Sequence, residues 1–375
     1  MTCPDMLRSL VVQANKKMAA RGRNRFIKSS FSIVKLTAQN AAFKIVSKIC
    51  EANPEQRKAF SIFTAHIFMK TVVRYIRDYA RWLDKQVFFL SAVFIALLIF
   101  INYYFHVQRF LYNLPLSLEF VCWYFIFLTA FTFPHLLQKW LYQKPVNSNR
   151  QFRTLLFIAP ALFAWKMVWP IYFYFSNDVL ENAYWNKVVY WPAKLVVMIA
   201  CLLVLWRTFN REQPFYGCTL KHFSLKPYFL MLAVMVPLIA AASTQHDFLN
   251  VYPKMMRVNG LINGDFVVAK KLLYELSYGV DFISIELFFR GFLVLAFAKW
   301  IGREAILPMA LFYCTIHFGK PLGECISSFF GGLILGTVTY RTKSIFGGLV
   351  VHLGIAWLME VGGYFGHVFL SVRRI

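Results

Sequence analysis

Charged residues are scarce in this chain of 375 residues. Only 15% of the residues are Asp, Glu, Lys or Arg, whereas 59% are hydrophobic and 18% are aromatic. Soluble globular proteins contain about 25% charged residues, because most of their surface faces water. The composition therefore excludes an ordinary soluble domain. One uncharged run, residues 87–105, is nineteen residues long, enough for a helix to cross roughly 30 Å of hydrocarbon.

Paired cysteine motifs are also missing. The chain has seven cysteines and no Cys-x-x-Cys spacing, and several of the cysteines lie inside apolar runs. This pattern is typical of small buried side chains rather than of a disulfide framework or a zinc cage. The sequence has no internal repeat and no low-complexity segment. Because the first strongly apolar run begins near residue 87, we expect no secretory signal peptide.

Acidic residues are few, with 17 Asp and Glu against 41 Lys and Arg, which gives a net charge of +24. Residues 1–85 carry +12 of this charge and stand directly before an apolar run. Anionic lipid headgroups are therefore a more economical partner for this region than nucleic acid. Residues 31–50 and 60–83 have helical periodicity. We expect helices that lie on a membrane surface or pack together in a small cytoplasmic bundle.

Long apolar runs predict an all-α protein, a multi-pass transmembrane helix bundle of about eight to ten spans. The expected spans are residues 87–105, 115–137, 154–176, 188–206, 227–243, 276–298, 305–318, 322–340 and 344–358, with a further apolar segment at 359–370. We expect three regions: the basic helical residues 1–85, transmembrane helices in 86–243 and a second transmembrane region in 244–375. Basic residues between the spans predict a cytoplasmic N-terminus. The membrane would be the plasma membrane, or the inner membrane in a bacterium.

Four ionisable residues in the apolar C-terminal region are the first candidates for chemistry, because charge inside hydrocarbon is costly. Glu286 and Arg290 have the i,i+4 spacing that places both on one helix face, acid before base. A buried ion pair that only locks the helix in place explains this spacing equally well. His317 ends an apolar helix before a Gly-Lys-Pro break, and His352 follows two glycines. Each histidine alone is more typical of hydrogen-bonded structure than of catalysis. Together the four could face one wet cavity, where a carboxylate and an imidazole can activate water.

The order of these residues resembles the motifs of the CPBP family of intramembrane proteases. This family includes the CAAX prenyl proteases and the bacteriocin-processing, Abi-like enzymes. Its motifs are Glu-Glu-x-x-x-Arg, Phe-x-x-x-His and His-x-x-x-Asn. The corresponding residues here are Ile285, Glu286 and Arg290, then Tyr313 and His317, then His352 and Ala356. The resemblance covers residues 276–360 and implies that region 244–375 holds the catalytic site. Residues 1–226 receive no support from it.

Two positions depart from the family pattern. Ile285 stands where the family has its main water-activating glutamate, and Ala356 replaces the Asn that helps to hold the oxyanion. Three interpretations remain open. Glu286 could serve as the base after a helix rotation of about 100°. Another carboxylate could replace it, with Glu324 a better candidate than Glu360. The third interpretation is that catalysis has been lost.

The resemblance implies a membrane-embedded endopeptidase in which a carboxylate and histidine activate water. Its expected catalytic residues are Glu286, Arg290, His317, His352 and Glu324. Its partners would be membrane lipids and a peptide or membrane-protein substrate, and we expect no nucleic acid. Two histidines and Glu286 could hold Zn²⁺ as in a metalloprotease, although the HExxH spacing is missing. A non-catalytic scaffold, immunity or chaperone-like protein is the main alternative. A proton-coupled transporter is a weaker one, since internal repeats are missing.

Overall fold

The computed structural model describes residues 70–144, 147–220, 225–262 and 266–372. Helices dominate these ranges and no strand occurs in them. The expected all-α, multi-pass helix bundle is therefore confirmed. The helix expected at residues 31–50 lies outside the described residues, while residues 70–82, within the second expected helix, are helical.

Nine helices of ten or more residues are labelled here. They are α1 (Lys85–Tyr104), α2 (Leu116–Tyr142), α3 (Arg150–Val168), α4 (Val179–Phe209), α5 (Lys226–Ala242), α6 (Val267–Glu286), α7 (Ile306–Thr315), α8 (Leu322–Thr342) and α9 (Phe346–Val372). A π-helical segment, Leu287–Ala296, continues α6. Short α-helices occur at Val107–Leu111, His246–Leu249 and Ala298–Ile301, and 3₁₀ turns at Phe215–Gly217, Lys254–Leu261 and Gly302–Ala305.

Fewer helices qualify as membrane spans than the sequence predicts. Within the described ranges, α1, α2, α4, α8 and α9 are long and apolar enough to cross a bilayer. A sixth span results if the bent pair Tyr228–Ala242 and His246–Leu261 crosses as one unit. The predicted spans 276–298 and 305–318 contain buried segments, because every residue of the π-helical segment and of α7 is buried, whereas Leu276 and Ile283 on α6 are exposed. At ten residues, α7 is about 15 Å long, half of a hydrocarbon core.

Aromatic side chains form the centre of the core around α7. The Phe163 ring on α3 lies 5.0 Å from the rings of Phe288 and Phe289 in the π-helical segment. Phe312 on α7 lies 4.8 Å from Phe127 on α2 and 5.3 Å from Phe289. Offset and edge-on contacts of this kind add to the stabilisation from burial. Helices of both predicted transmembrane regions share this core, which holds the π-helical segment and α7 in a fixed relative position. The predicted division of the chain into three regions stays a prediction.

Candidate active site

Glu286 and Arg290 form a buried ion pair where α6 passes into the π-helical segment. Both side chains are 0% exposed, and Arg290 Nη1 lies 3.1 Å from Glu286 Oε1. The guanidinium also covers the Tyr313 ring, with 4.1 Å between its carbon and the ring centroid. Among the described residues, none of the three guanidinium nitrogens has a hydrogen bond of good geometry. The Arg290 charge is thus balanced by one carboxylate and one aromatic face.

His352 on α9 connects Glu286 to Tyr313 on α7. Its Nδ1 lies 2.9 Å from Glu286 Oε1, and its Nε2 lies 3.0 Å from the Tyr313 hydroxyl. Because a carboxylate only accepts hydrogen bonds, Nδ1 carries the proton and Nε2 accepts from the Tyr313 hydroxyl. Gly348, one turn before His352, lets α9 approach this site. A Cβ at this position would collide with Glu286 Oε2.

His317 lies just after α7, in the turn that leads to α8. Its Nδ1 is 2.8 Å from the backbone oxygen of Tyr313. Since a carbonyl oxygen accepts, Nδ1 donates and Nε2 keeps a lone pair. Gly319 follows with φ +80°, a conformation that favours glycine. The ring of Tyr313 lies 4.7 Å from the His317 ring. Tyr313 therefore contacts both histidines, one through its ring and one through its hydroxyl.

Glu324 lies in the first turn of α8, on the other side of His317. The Tyr252 hydroxyl is 3.1 Å and 3.0 Å from its two carboxylate oxygens. Lys320 Nζ lies 3.4 Å from Glu324 Oε1. The Glu324 side chain is 16% exposed, and it is close enough to His317 for an electrostatic interaction. The chain thus places a partly accessible carboxylate beside His317, whereas the carboxylate of Glu286 is fully enclosed.

Three other positions considered from the sequence, Glu360, Ile285 and Ala356, add no polar group to the candidate site. Glu360 on α9 is buried and its Oε2 accepts from the backbone N–H of Met255 at 3.2 Å. Ile285 and Ala356 are buried apolar side chains. None of these three side chains brings a second acid or amide to His352.

The residues of the site do not fit a metal centre. Across the described ranges, no three His, Cys, Asp or Glu side chains converge as ligands of a metal ion would. The Tyr313 hydroxyl occupies the Nε2 side of His352, and the Tyr313 carbonyl oxygen occupies the Nδ1 side of His317. The proposed zinc at Glu286, His317 and His352 therefore gains no support from this geometry, and no step below depends on it.

A second polar cluster, around Lys166 and Asp281, was not predicted from the sequence. Lys166 on α3 forms an ion pair with Asp281 on α6, with 2.7 Å between Nζ and Oδ1. Lys166 Nζ also lies 2.6 Å from the Ser284 hydroxyl. Lys194 on α4 is buried as well and donates to Tyr190. Lysine inside an apolar helix indicates a polar cluster, so Lys166 and Lys194 are its signal in the sequence, but neither belongs to the C-terminal motifs.

A comparison with known protein families supports the resemblance that the sequence motifs indicate. No curated protein and no solved structure matches the chain. Residues 274–358 match the model of a family described as type II CAAX prenyl endopeptidase, Rce1-like. The matched range includes all five of the predicted site residues that are described above. The resemblance to CAAX-type membrane endopeptidases is thus confirmed for this part of the chain, which is consistent with a protease of the CPBP family.

Proposed function

We propose that the protein is a membrane-embedded endopeptidase in which His317 and Glu324 activate the attacking water. One observation carries the proposal. A partly exposed carboxylate, that of Glu324, lies within electrostatic range of the His317 imidazole, whose Nε2 keeps a lone pair. Glu286 is a weaker candidate for the base, since it is 0% exposed and already contacts both Arg290 and His352. The family match to residues 274–358 supports peptide hydrolysis as the reaction.

His317 acts as the general base in this mechanism. Its Nε2 takes a proton from water, and the water oxygen attacks the carbonyl carbon of the peptide bond. The negative charge of Glu324 stabilises the imidazolium that forms. The same proton then passes from His317 to the amide nitrogen, which leaves as an amine when the carbon–nitrogen bond breaks. Proton and charge therefore balance without any further reactant.

The Tyr313 hydroxyl stabilises the developing oxyanion. This hydroxyl, 3.0 Å from His352 Nε2, turns from the imidazole toward the substrate oxygen and donates to it. Glu286 holds His352 in place through its 2.9 Å contact with Nδ1, so that the imidazole orients the Tyr313 hydroxyl before substrate binds. One oxyanion donor is worth about 10²–10³-fold in rate. Glu286 and Arg290 are then positioning residues.

The substrate class follows from the membrane setting and from the family. The site lies between α7, α8 and α9, of which the last two are candidate spans. A substrate segment must therefore reach the site from the lipid or from the membrane surface. Peptides that end in a prenylated CAAX motif are the first choice, as the family description implies.

The test is peptide cleavage by the purified protein in lipid nanodiscs. The substrates are a pool of prenylated CAAX peptides and membrane-protein segments, and the products are read by mass spectrometry. His317→Ala, His352→Ala, Glu324→Gln and Glu286→Gln are compared with the unchanged protein. His246→Ala is the matched control, because the His246 side chain is exposed and lies 3.1 Å from the amide nitrogen of Asn250, four residues along the chain.

We expect cleavage to disappear in His317→Ala and Glu324→Gln and to persist in His246→Ala. Tyr313→Phe should retain the ring contacts and lose about 10²-fold in rate, as expected for one oxyanion donor. If Glu324→Gln cleaves normally and Glu286→Gln does not, Glu286 is the carboxylate that matters. Cleavage that persists in both histidine variants would contradict the mechanism.

A non-catalytic membrane scaffold is the second candidate function. It is favoured by Ile285 and Ala356, which are buried and apolar at the positions of the family's main glutamate and its asparagine. In that case no pool peptide is cut, and substitution of the buried polar residues lowers only the thermal stability.

A further inference from the structure

Two adjoining cavities lie at the opposite end of α7 from His317. Their volumes are about 210 Å³ and 250 Å³, and they share His135, Gln138, Lys144 and Glu304. Glu304 precedes α7 and His317 follows it, which separates the cavities from the candidate active site by about 15 Å. They are therefore a separate place in the fold, where α1 begins and α2 ends.

Two buried polar groups line the first cavity without a partner. Tyr79 is 6% exposed and His135 is 7% exposed. Neither the Tyr79 hydroxyl nor His135 Nε2 has a hydrogen-bond partner within the described part of the chain. A buried polar atom without a partner is destabilising, so that such atoms usually meet water or a ligand. Burial and nearby Glu304 raise the pKa of Tyr79, and its hydroxyl therefore remains a donor.

The charges of the cavity walls select among ligands. Asp84 and Glu304 contribute two carboxylates, and Lys144, whose Nζ is 2.6 Å from Glu304 Oε1, contributes one ammonium. A purely anionic ligand would be repelled by Asp84, because the Lys144 charge is already balanced by Glu304. A purely cationic ligand would leave the Tyr79 hydroxyl without an acceptor. A ligand that carries both an ammonium and a strong acceptor can bind the carboxylates through its ammonium and the Tyr79 hydroxyl through its acceptor.

The environment of Trp82 determines which kind of ammonium group the cavity can bind. Trp82 lines the cavity, but the guanidinium of Arg303 already covers its ring at 4.5 Å. This face is therefore not free to hold a quaternary ammonium by a cation–π contact. A primary ammonium, in contrast, can donate hydrogen bonds to carboxylates such as Asp84 and Glu304. Arg303 also lies close enough to Tyr79 to interact with it electrostatically, which adds a cation beside the phenol.

We propose that this cavity binds the phosphoethanolamine headgroup of a membrane phospholipid. The ammonium lies toward Asp84 and Glu304, and the phosphate lies between the Tyr79 hydroxyl and Arg303. The acyl chains run along α1 and α2, both candidate spans that border the cavity. Val87 and Leu307 make part of the cavity wall apolar, and farther along α1 the side chains of Phe89 and Val93 are exposed apolar surface for an acyl chain.

The test is native mass spectrometry of the full-length protein after delipidation in detergent. The protein is titrated separately with phosphatidylethanolamine, phosphatidylcholine and phosphatidylglycerol of matched acyl chains, and with soluble phosphoethanolamine. Tyr79→Phe removes only the hydroxyl, and Glu304→Gln removes one carboxylate charge. Tyr184→Phe is the control, because it removes another buried hydroxyl, which donates to the backbone oxygen of Lys270.

We expect one phosphatidylethanolamine molecule to bind at least about tenfold more tightly than the other two lipids, since each lost charge-assisted hydrogen bond has this effect or a larger one. Tyr79→Phe and Glu304→Gln should each lose about tenfold in this affinity, and Tyr184→Phe should retain it. Equal binding of all three lipids, or unchanged binding in both cavity variants, would overturn the proposal. Soluble phosphoethanolamine that binds as tightly as the lipid would also overturn it, because the acyl chains would then contribute nothing.

Discussion

The ion pair between Glu286 and Arg290 allows a quantitative test of what holds the candidate site together. Glu286→Gln keeps the shape of the side chain and removes its charge, which leaves the guanidinium of Arg290 buried at 0% exposure without a counter-charge. Removal of one partner of a buried ion pair costs about 3–5 kcal/mol. At about 1.3 °C per kcal/mol for a chain of 375 residues, the melting temperature should fall by about 4–6 °C.

The assay is unfolding of the purified protein in a defined detergent, followed by intrinsic tryptophan fluorescence. Glu212→Gln is the control, because its pair with Lys299, at 3.3 Å, is 79% exposed on the Glu212 side, and surface pairs contribute less than about 1 kcal/mol. The double variant Glu286→Gln with Arg290→Met should regain most of the loss, since it also removes the buried guanidinium charge while the amide oxygen at position 286 can still accept from His352 Nδ1. An effect of Glu286→Gln as small as that of Glu212→Gln would refute the reasoning. A double variant less stable than either single variant would do so as well.

Two further substitutions test other contacts. Gly348→Ala should lower both thermal stability and cleavage, because the new Cβ collides with the carboxylate of Glu286. Gly331→Ala is its control. This variant should leave both properties unchanged, because no atom lies within 4 Å of its Cβ. Lys166→Met should lower the free energy of unfolding by about 1–3 kcal/mol, since it leaves the Asp281 carboxylate, which is 21% exposed, without its 2.7 Å partner. An unchanged melting temperature in Gly348→Ala would contradict the close approach of α9 to Glu286. An unchanged melting temperature in Lys166→Met would contradict the contribution of the Lys166–Asp281 ion pair to stability.

The sequence predicts the helical class and the pairing within the site better than the number of spans. Glu286, Arg290 and His352 were selected as charged or polar residues in apolar helices, and they do contact one another. Five or six helices of the described ranges qualify as spans by length and composition, because hydropathy does not distinguish a short helix enclosed by other helices from part of a span. The wholly buried α7 is the example. A run of ten apolar residues fits either environment.

Contacts that join distant parts of the chain could not be predicted from spacing. Tyr252 is 72 residues before Glu324, yet its hydroxyl contacts both carboxylate oxygens. Lys166 and Asp281 are separated by 115 positions and belong to different helices. Only the packing of the helices decides which buried charges meet. The sequence could have indicated that Lys166 needs a partner, but not that Asp281 supplies it.

Ile285 removes the family's main carboxylate, but Glu324 supplies another one within electrostatic range of His317. The proposed reaction requires a carboxylate near the histidine that takes the proton, and its place on a particular helix is not part of the chemistry. Glu324 is held by Tyr252 and Lys320, so its carboxylate is fixed rather than free to turn into solvent. If Glu324→Gln abolishes cleavage at an unchanged melting temperature, this arrangement is catalytic. If it lowers the melting temperature and no peptide is cut by the unchanged protein, the same hydrogen bonds serve only to join α8 to the rest of the bundle.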